Sequence, residues 1–265
     1  MRTIQERSEA YKRAVEAYDL FDTSVWWAPQ CTDAFVCYQD WGRQKEAHKR
    51  AGIKGGLVTA YCSMHNDPYA GNKELLALLK DEDEFRGCIV VTPDMFWDAG
   101  KGDAYLQKMR EGGVRAARIF PGMYRHSTRE YCIGDMLEAL EAAGLPLLVW
   151  HVDTGFDDID RICSNHPGLS VILDSMDRKL LYHARDYCSL LKKHKNFYIE
   201  THNLVLFNEY ETIYSLVGAG QMLLGTYFPH ACPDFSIYPI YEANIPEDAK
   251  RAIFGSNARR LFDAL

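Results

Sequence analysis

Short apolar runs alternate with amphipathic runs along the whole chain. Each apolar run is bounded by polar or turn-forming residues and is nearly continuous, which is typical of parallel strands covered on both faces. Eight strands are predicted: Tyr18–Val25, Lys54–Tyr61, Arg86–Thr92, Val114–Phe120, Pro146–Val152, Leu169–Asp174, Phe197–His202 and Gln221–Tyr227.

The stretches between these strands have the apolar spacing of helices. In Gly71–Lys80, the side chains of Leu75, Leu76 and Leu79 form one apolar stripe, and Asn72 is predicted to cap the helix. Further helices are predicted over Gly134–Ala143, Asp157–Asn165, Leu180–His194, Glu209–Val217 and Pro246–Ile253. The residues ahead of the first strand predict an additional N-terminal helix.

Eight strand–helix units in 265 residues correspond to about 33 residues per unit, the length of a βα unit in a (β/α)8 barrel. The alternative is a doubly wound open sheet, which predicts a glycine-rich phosphate turn after the first strand. That strand instead continues Phe21-Asp22-Thr23-Ser24-Val25-Trp26-Trp27, without glycine. The sequence therefore favours an α/β fold: one TIM-barrel domain over residues 1–265, with the N-terminal helix covering the barrel floor.

The composition argues against several classes of binding partner. Thirty basic residues against 37 acidic ones give a net charge of −7, which disfavours nucleic acid as a partner because its binding demands a basic face. No apolar run approaches the length of a membrane-spanning helix, and the first residues lack the apolar core of a signal peptide. We therefore expect a cytoplasmic protein that binds no membrane. Its eight cysteines contain no C-x-x-C pair, so we expect reduced thiols.

Polar residues interrupt the strands at their carboxyl ends, where TIM barrels carry their catalytic groups. Period-2 alternation places Glu200 and His202 on one face of the seventh strand, and Val149 and His151 on one face of the fifth. A carboxylate pressed against the helices would be costly, so we expect these faces to point into the barrel. One site then collects Asp22, Arg118, His151, Asp174, Glu200 and His202. Taken singly, each is equally explained as a structural polar group, and Glu200 and Arg118 can pair as a buried brace.

The last third of the chain resembles a known family. The segment Gln221–His230 is similar to the last strand of the amidohydrolase-related (amidohydrolase-2) TIM-barrel hydrolases and decarboxylases, in which Gly-Ser-Asp, an aromatic residue and Pro follow an apolar run. Asn257-Ala258-Arg259-Arg260-Leu261-Phe262 resembles the family's closing Asn-Ala-x-Arg-Leu-Phe signature. Pro167–Leu173 is similar to the segment before its sixth strand, and Asn196–Glu200 resembles its seventh. The resemblance implies a TIM barrel, a small-molecule substrate and a homodimer.

The resemblance also implies a divalent metal site, and here the sequence departs from the family. Members carry His-x-His after the first strand, one His each on strands five and six, and Asp on strand eight. At these positions the chain has Ser24, Trp26, His151 (shifted by one residue), Ser175 and Tyr227. Because tryptophan cannot bind zinc and serine does so poorly, we expect no metal cofactor. The alternative is a relocated zinc or manganese site built from His65, His151, Asp174, Glu200 and His202.

Three functions stay open. The first is a metal-independent hydrolase or lyase that uses His151 as general acid or base, with Asp174 or Asp22 orienting it or activating water. Arg118 would bind a substrate carboxylate, and the remaining predicted substrate-binding residues are Ser24, Trp26, Tyr124, Ser175, Glu200, His202 and Tyr227. Trp150 alternates with His151, so we expect it to pack outward. The second function is an inactive barrel that binds a small molecule or a partner, and the third is a hydrolase with relocated metal ligands.

Overall fold

The computed structural model describes residues 4–28, 40–180 and 182–263, and Cys31 and Cys37 lie outside these ranges. Eight parallel strands form one sheet in sequence order, which confirms the predicted TIM barrel. They are β1 (Leu20–Trp27), β2 (Ile53–Ala60), β3 (Phe85–Val90), β4 (Val114–Ile119), β5 (Leu147–Trp150), β6 (Val171–Asp174), β7 (Phe197–Glu200) and β8 (Met222–Leu223).

The barrel closes between β1 and the segment that follows β8. The N–H of Thr23 donates to the carbonyl of Leu224, and the N–H of Trp26 donates to that of Phe228, each at 2.8 Å. The regular β8 is shorter than the predicted eighth strand. One reason is that Tyr227 has a φ of 57°, a left-handed conformation that interrupts an extended chain.

Asp22 adds side-chain hydrogen bonds at this junction between β1 and the segment after β8, which we call the seam. Its Oδ1 accepts the N–H groups of Ser24 at 3.0 Å and Thr226 at 2.9 Å, and its Oδ2 accepts the Thr226 hydroxyl. Burial raises the pKa of Asp22 to about 6, although the hydrogen bonds favour the charged form. Asp22 therefore links β1 to the segment that follows β8.

Thirteen α-helices surround the barrel in the described part of the chain, and none of them is long and apolar enough to cross a membrane. They are α1 (Ile4–Ala17), α2 (Trp41–Arg50), α3 (Tyr61–His65), α4 (Pro68–Leu79), α5 (Ala99–Glu111), α6 (Pro121–Tyr124), α7 (Glu130–Ala142), α8 (Phe156–Asn165), α9 (Ala184–Lys193), α10 (Glu209–Val217), α11 (Asp234–Glu242), α12 (Glu247–Arg251) and α13 (Asn257–Phe262). A 3-10 turn covers Pro93–Phe96, and a π-helical turn over Ala252–Ser256 joins α12 to α13.

The predicted cap of α4 is wrong. Asp67 caps this helix, because its Oδ1 accepts the N–H groups of Tyr69 at 2.8 Å and Ala70 at 3.3 Å. Asn72 lies one turn further on and is fully buried, where its amide exchanges two hydrogen bonds with the backbone of Val90 at 2.7 and 3.0 Å. Its amide therefore pairs with the backbone N–H and C=O of the last residue of β3, a contact that the apolar spacing of the helix does not predict.

Alternate strand residues belong to two different cores. One set collects a side chain from seven of the eight strands, and such residues can meet only inside the barrel: Phe21, Leu57, Cys88, Ala116, Leu148, Ile172 and Leu223. The other set packs with the helices and includes Val149. The prediction that Val149 faces inward is therefore wrong, and β5 ends one residue before His151, so alternation no longer governs that side chain. Trp150, expected to pack outward, packs with the interior.

The floor of the barrel is closed by α13 rather than by the N-terminal helix. Phe262 stacks on Phe21 with ring centroids 5.9 Å apart. The predicted extra helix α1 is present, but it packs along the outside, where Tyr11 contacts the rings of Tyr238 and Tyr241 on α11, each at 5.3 Å. The position on the barrel floor that the sequence predicted for the N-terminal helix is therefore taken by α13.

Replacing Thr226 by valine tests the seam. The change removes a hydroxyl that donates to buried Asp22, so we expect the free energy of unfolding to fall by about 1–3 kcal/mol. Urea denaturation followed by circular dichroism measures it. The matched control is Thr212→Val, because the Thr212 hydroxyl is exposed and donates only to the Asn208 carbonyl one helical turn away. Equal losses in both variants would contradict a special role for the seam.

Candidate functional site

Two opposite charges lie inside the barrel at the carboxyl ends of β4 and β6. Nη1 of Arg118 forms an ion pair with Oδ2 of Asp174, and each side chain is 1% exposed. Such a pair is strongly coupled because little solvent screens it, and removing either partner would leave an uncompensated buried charge. The structure therefore pairs Arg118 with Asp174 and not with Glu200, the partner that the sequence suggested for a brace.

The guanidinium of Arg118 is fixed in place, but not all of its N–H donors have a hydrogen-bond acceptor. The indole of Trp26 covers it, with Cζ 4.6 Å from the ring centroid, a cation–π arrangement. Within the described residues, Nη1 of Arg118 faces Asp174, whereas Nε and Nη2 of Arg118 and the indole Nε1 of Trp26 have no hydrogen-bond acceptor. Buried donors of this kind are costly, and they mark a place where polar ligand atoms are favoured.

Glu200 is the second carboxyl group of this interior. Its Oε1 accepts the N–H of Ser175 at 3.2 Å and the Ser175 hydroxyl at 2.8 Å, and its Oε2 accepts the N–H of His202 at 2.9 Å. Gly225 permits this position, since a Cβ there would overlap Oε2. Burial, assisted by the charge of Asp174, raises the pKa of Glu200 to about 8, so the group is mostly protonated at neutral pH.

An aromatic layer covers the charged cluster. Trp26 lies at its centre, with ring centroids 6.2 Å from Tyr61, 6.2 Å from Tyr227 and 6.4 Å from Phe120. Trp150 joins this layer and donates its indole N–H to the carbonyl of Ser175 at 3.1 Å. The upper interior therefore combines flat apolar surface with buried charge.

Imidazole rings surround this layer at the mouth. His202 lies 5.2 Å from the Tyr227 ring and His230 stacks on the same ring at 4.7 Å, while His65 lies 4.1 Å from Tyr61. Burial lowers the pKa of His202 to about 4 and also lowers that of His65, so both are neutral near pH 7. Tyr61 and His230 were not among the predicted site residues, although Tyr61 directly follows β2 and His230 lies in the segment after β8.

His151 lies at the rim between β5 and β6. Its ring is 6.1 Å from that of His183, and its buried Nδ1 has no hydrogen-bond partner within the described residues. Burial lowers the pKa of His151, while the nearby carbonyl and charge of Asp174 oppose that shift. A neutral imidazole in this position can accept or donate a proton, so its predicted catalytic role stays a prediction.

Three predicted site residues lie apart from the cluster. Asp22 is engaged in the seam, and the Ser24 hydroxyl is buried with no partner in the described part of the chain. Tyr124 donates its hydroxyl to the carbonyls of Ser63 at 2.5 Å and Met64 at 3.1 Å, at the edge of the aromatic layer. A catalytic role for Asp22 and substrate binding by Ser24 and Tyr124 stay predictions.

The side chains at the family's metal positions do not fit a divalent ion. Trp26 presents an indole there, and the Arg118 cation lies 4.6 Å from that ring, where it would repel a metal. The relocated set fits no better, because Asp174 pairs with Arg118 and Glu200 already accepts three hydrogen bonds. No group of three or more His, Cys, Asp or Glu among the described residues is arranged to hold a metal ion.

The proton on Glu200 predicts a pH-dependent stability. Its pKa is about 8 in the folded protein against an ordinary 4.5, so its stabilising contribution is complete below about pH 4.5 and is lost as the pH rises through about 8. Glu200→Gln keeps the shape without titrating. We expect the unfolding free energy of the unmodified protein to fall relative to this variant by up to about 1.4 kcal/mol per pH unit between these limits.

Urea denaturation of both proteins at several pH values measures this difference. Glu138→Gln, at an exposed position on α7, is the matched control and should follow the unmodified protein. Parallel pH profiles for Glu200→Gln and the unmodified protein would contradict a protonated Glu200.

Solved structures with the same barrel support the fold. A 5-carboxyvanillate decarboxylase of Sphingomonas paucimobilis superimposes with a TM-score of 0.70 at 14% identity, over 93% of this chain and 99% of that one. A dihydroxybenzoic acid decarboxylase of Polaromonas, with bound manganese and 2-nitroresorcinol, gives 0.67 at 15% identity over 93% and 97%. A 2,6-dihydroxybenzoate decarboxylase of Rhizobium gives 0.64 at 13% identity over 93% and 98%.

A family model described as amidohydrolase matches residues 21–264, which is most of the chain. No curated protein matches the sequence significantly. The match covers every strand of the barrel and the closing helix, including the segments in which the motif resemblance was noticed. The chain belongs to the amidohydrolase family represented by this model.

Proposed function

We propose that this protein is a metal-independent enzyme, a hydrolase or lyase that acts on a small aromatic carboxylate at the barrel mouth. The observation that carries the proposal is the buried guanidinium of Arg118, whose Nε and Nη2 donors have no hydrogen-bond acceptor within the described residues. A planar fork of donors matches a carboxylate in two-point contact. Aromatic side chains directly above it suit a flat ring.

The charges of the cluster leave room for a substrate anion. Asp174 neutralises Arg118, and the raised pKa of Glu200 favours its neutral form, so this cluster of three side chains presents no excess negative charge to a substrate. A substrate carboxylate could then use the remaining guanidinium donors. Access requires the Trp26 ring to turn away from Arg118, and the substrate ring then takes its place among the aromatic side chains.

His151 is proposed as the general acid or base. Its pKa is lowered by burial, so the neutral imidazole is available near pH 7 to take a proton from water or from a substrate hydroxyl. In a decarboxylation, the carbon that loses carbon dioxide must receive a proton, and the imidazolium formed in this way can supply it. Asp174 lies on the neighbouring strand, where its charge stabilises that imidazolium.

Structural similarity supports this substrate class. The structural neighbours are decarboxylases of carboxylated phenols, and their barrels align with nearly the whole of this chain. At least one of them binds manganese, whereas this chain has an indole and a guanidinium in that region. The proposed enzyme therefore keeps the substrate class and uses a protein cation as its electrostatic centre.

A second candidate function is an inactive barrel that binds a small molecule without turnover. It is favoured by the position of Trp26, which is fully buried and covers Arg118. In this case the ion pair of Arg118 with Asp174 is a brace, and the ligand lies above the aromatic layer. The homodimer implied by the family resemblance stays a prediction under either function.

Turnover by chelator-treated protein tests the proposal. We expect the protein, after dialysis against EDTA, to convert 2,6-dihydroxybenzoate, 5-carboxyvanillate or a related aromatic acid, followed by ultraviolet absorbance and product analysis. His151→Ala should lower kcat/KM by about 100-fold or more, because a general acid or base of this kind contributes that much. His183→Ala, which removes the neighbouring exposed imidazole, is the matched control and should retain most of the activity.

Metal analysis by inductively coupled plasma mass spectrometry accompanies these assays. Activity that requires added manganese and disappears on chelation would overturn the metal-independent mechanism. Saturable binding of an aromatic acid without conversion, unchanged in His151→Ala, would favour the inactive barrel.

A further inference from the structure

A cavity lies at the outer rim of the barrel's carboxyl end, beside the loops that follow β3 and β4. It has a volume of about 620 Å³ and is bounded by the first turns of α4 and α7 and by the 3-10 turn after β3. Tyr124 forms part of its inner wall, and its hydroxyl is held by the carbonyls of Ser63 and Met64. This outer cleft is therefore separate from the charged cluster inside the barrel.

Large aromatic side chains line the outer cleft and are exposed to solvent. Tyr131 is 86% exposed, Trp97 is 80% exposed and Tyr69 is 50% exposed. Each ring exposes a face with negative electrostatic potential. Several large rings around one cavity differ from apolar residues scattered singly over a surface, and such concentrations mark binding sites.

Three carboxylates also line the outer cleft. Asp94 and Asp135 have no ion-pair partner within the described residues, and the hydroxyl of Tyr69 contacts Asp94 at 3.4 Å. Glu130 accepts hydrogen bonds from His166 at 2.8 Å and Asn165 at 3.1 Å, contacts that lower its pKa.

The described lining contains no lysine or arginine. His126, which also lines the outer cleft, is neutral near pH 7 because burial lowers its pKa. The groups that face this cavity are therefore either anionic or neutral.

We propose that the outer cleft binds an organic ammonium ion. A quaternary or alkylated ammonium group is attracted to aromatic faces and to carboxylates, and it sheds water more readily than a small metal ion. An anionic ligand would be repelled by Asp94, Asp135 and Glu130, and a neutral apolar ligand would leave these charges unused. The net charge of −7 on the chain also favours the approach of a cation.

Calorimetric titration with choline and with 3,3-dimethylbutan-1-ol tests the proposal, because the alcohol has the same shape and no charge. We expect choline to bind about 2- to 30-fold more tightly than the alcohol, the range expected for a cation against aromatic faces. Trp97→Leu and Asp135→Asn should each weaken choline binding within that range. Asp81→Asn, at an exposed acidic position outside the cleft, is the matched control and should leave binding unchanged.

A second arm identifies the source of the ammonium group. Tighter binding of choline than of Nα-acetyl-trimethyllysine amide supports a free small molecule, and the reverse order supports a modified side chain of a protein. Equal binding of choline and its neutral analogue, or no binding of either, would overturn the proposal. These measurements need no turnover, so their outcome is independent of the enzymatic proposal for the barrel mouth.

Discussion

Arg118 and Asp174 form their ion pair in a barrel interior that solvent scarcely reaches, and the upper half of the barrel is arranged around that constraint. Two carboxyl groups and one guanidinium share this space, so one carboxyl group must give up its charge or gain strong hydrogen bonds. Glu200 accepts three hydrogen bonds, and its raised pKa favours the neutral form. The missing side chain at Gly225 makes room for it.

The same constraint bears on the metal positions that the family resemblance implies for this chain. A divalent ion and a guanidinium compete for the same electrostatic role, since each neutralises buried carboxylates. With Arg118 in the interior and Trp26 above it, the site contains an organic cation that is fixed by covalent attachment to β4. Ser175, at the position where the family resemblance implies a histidine ligand, donates two hydrogen bonds to Glu200.

The outer cleft and the barrel mouth have opposite chemistry although Tyr124 belongs to the walls of both. The mouth buries a cation among neutral imidazoles and aromatic rings, which suits an anion. The cleft exposes carboxylates beside aromatic rings, which suits a cation. The Tyr124 hydroxyl donates to the backbone after β2, so this side chain has a fixed position between the two regions.

Much of the architecture was evident in the sequence alone. The eight apolar runs, the absence of glycine after the first strand and the closing Asn257–Phe262 motif identified the barrel and its family, because each depends on local backbone geometry or on short contiguous motifs. The sequence also predicted that Ser24, Trp26 and Tyr227 do not form the metal site that the family resemblance implies, since ligand chemistry depends on residue type. Only the tertiary structure decided which face of β5 points into the barrel and that Arg118 pairs with Asp174. It also showed that Asn72 bonds to the backbone of β3 instead of capping a helix. Period-2 alternation is set by the backbone of one strand, whereas the partner of a buried charge is set by barrel closure, which brings together residues far apart along the chain.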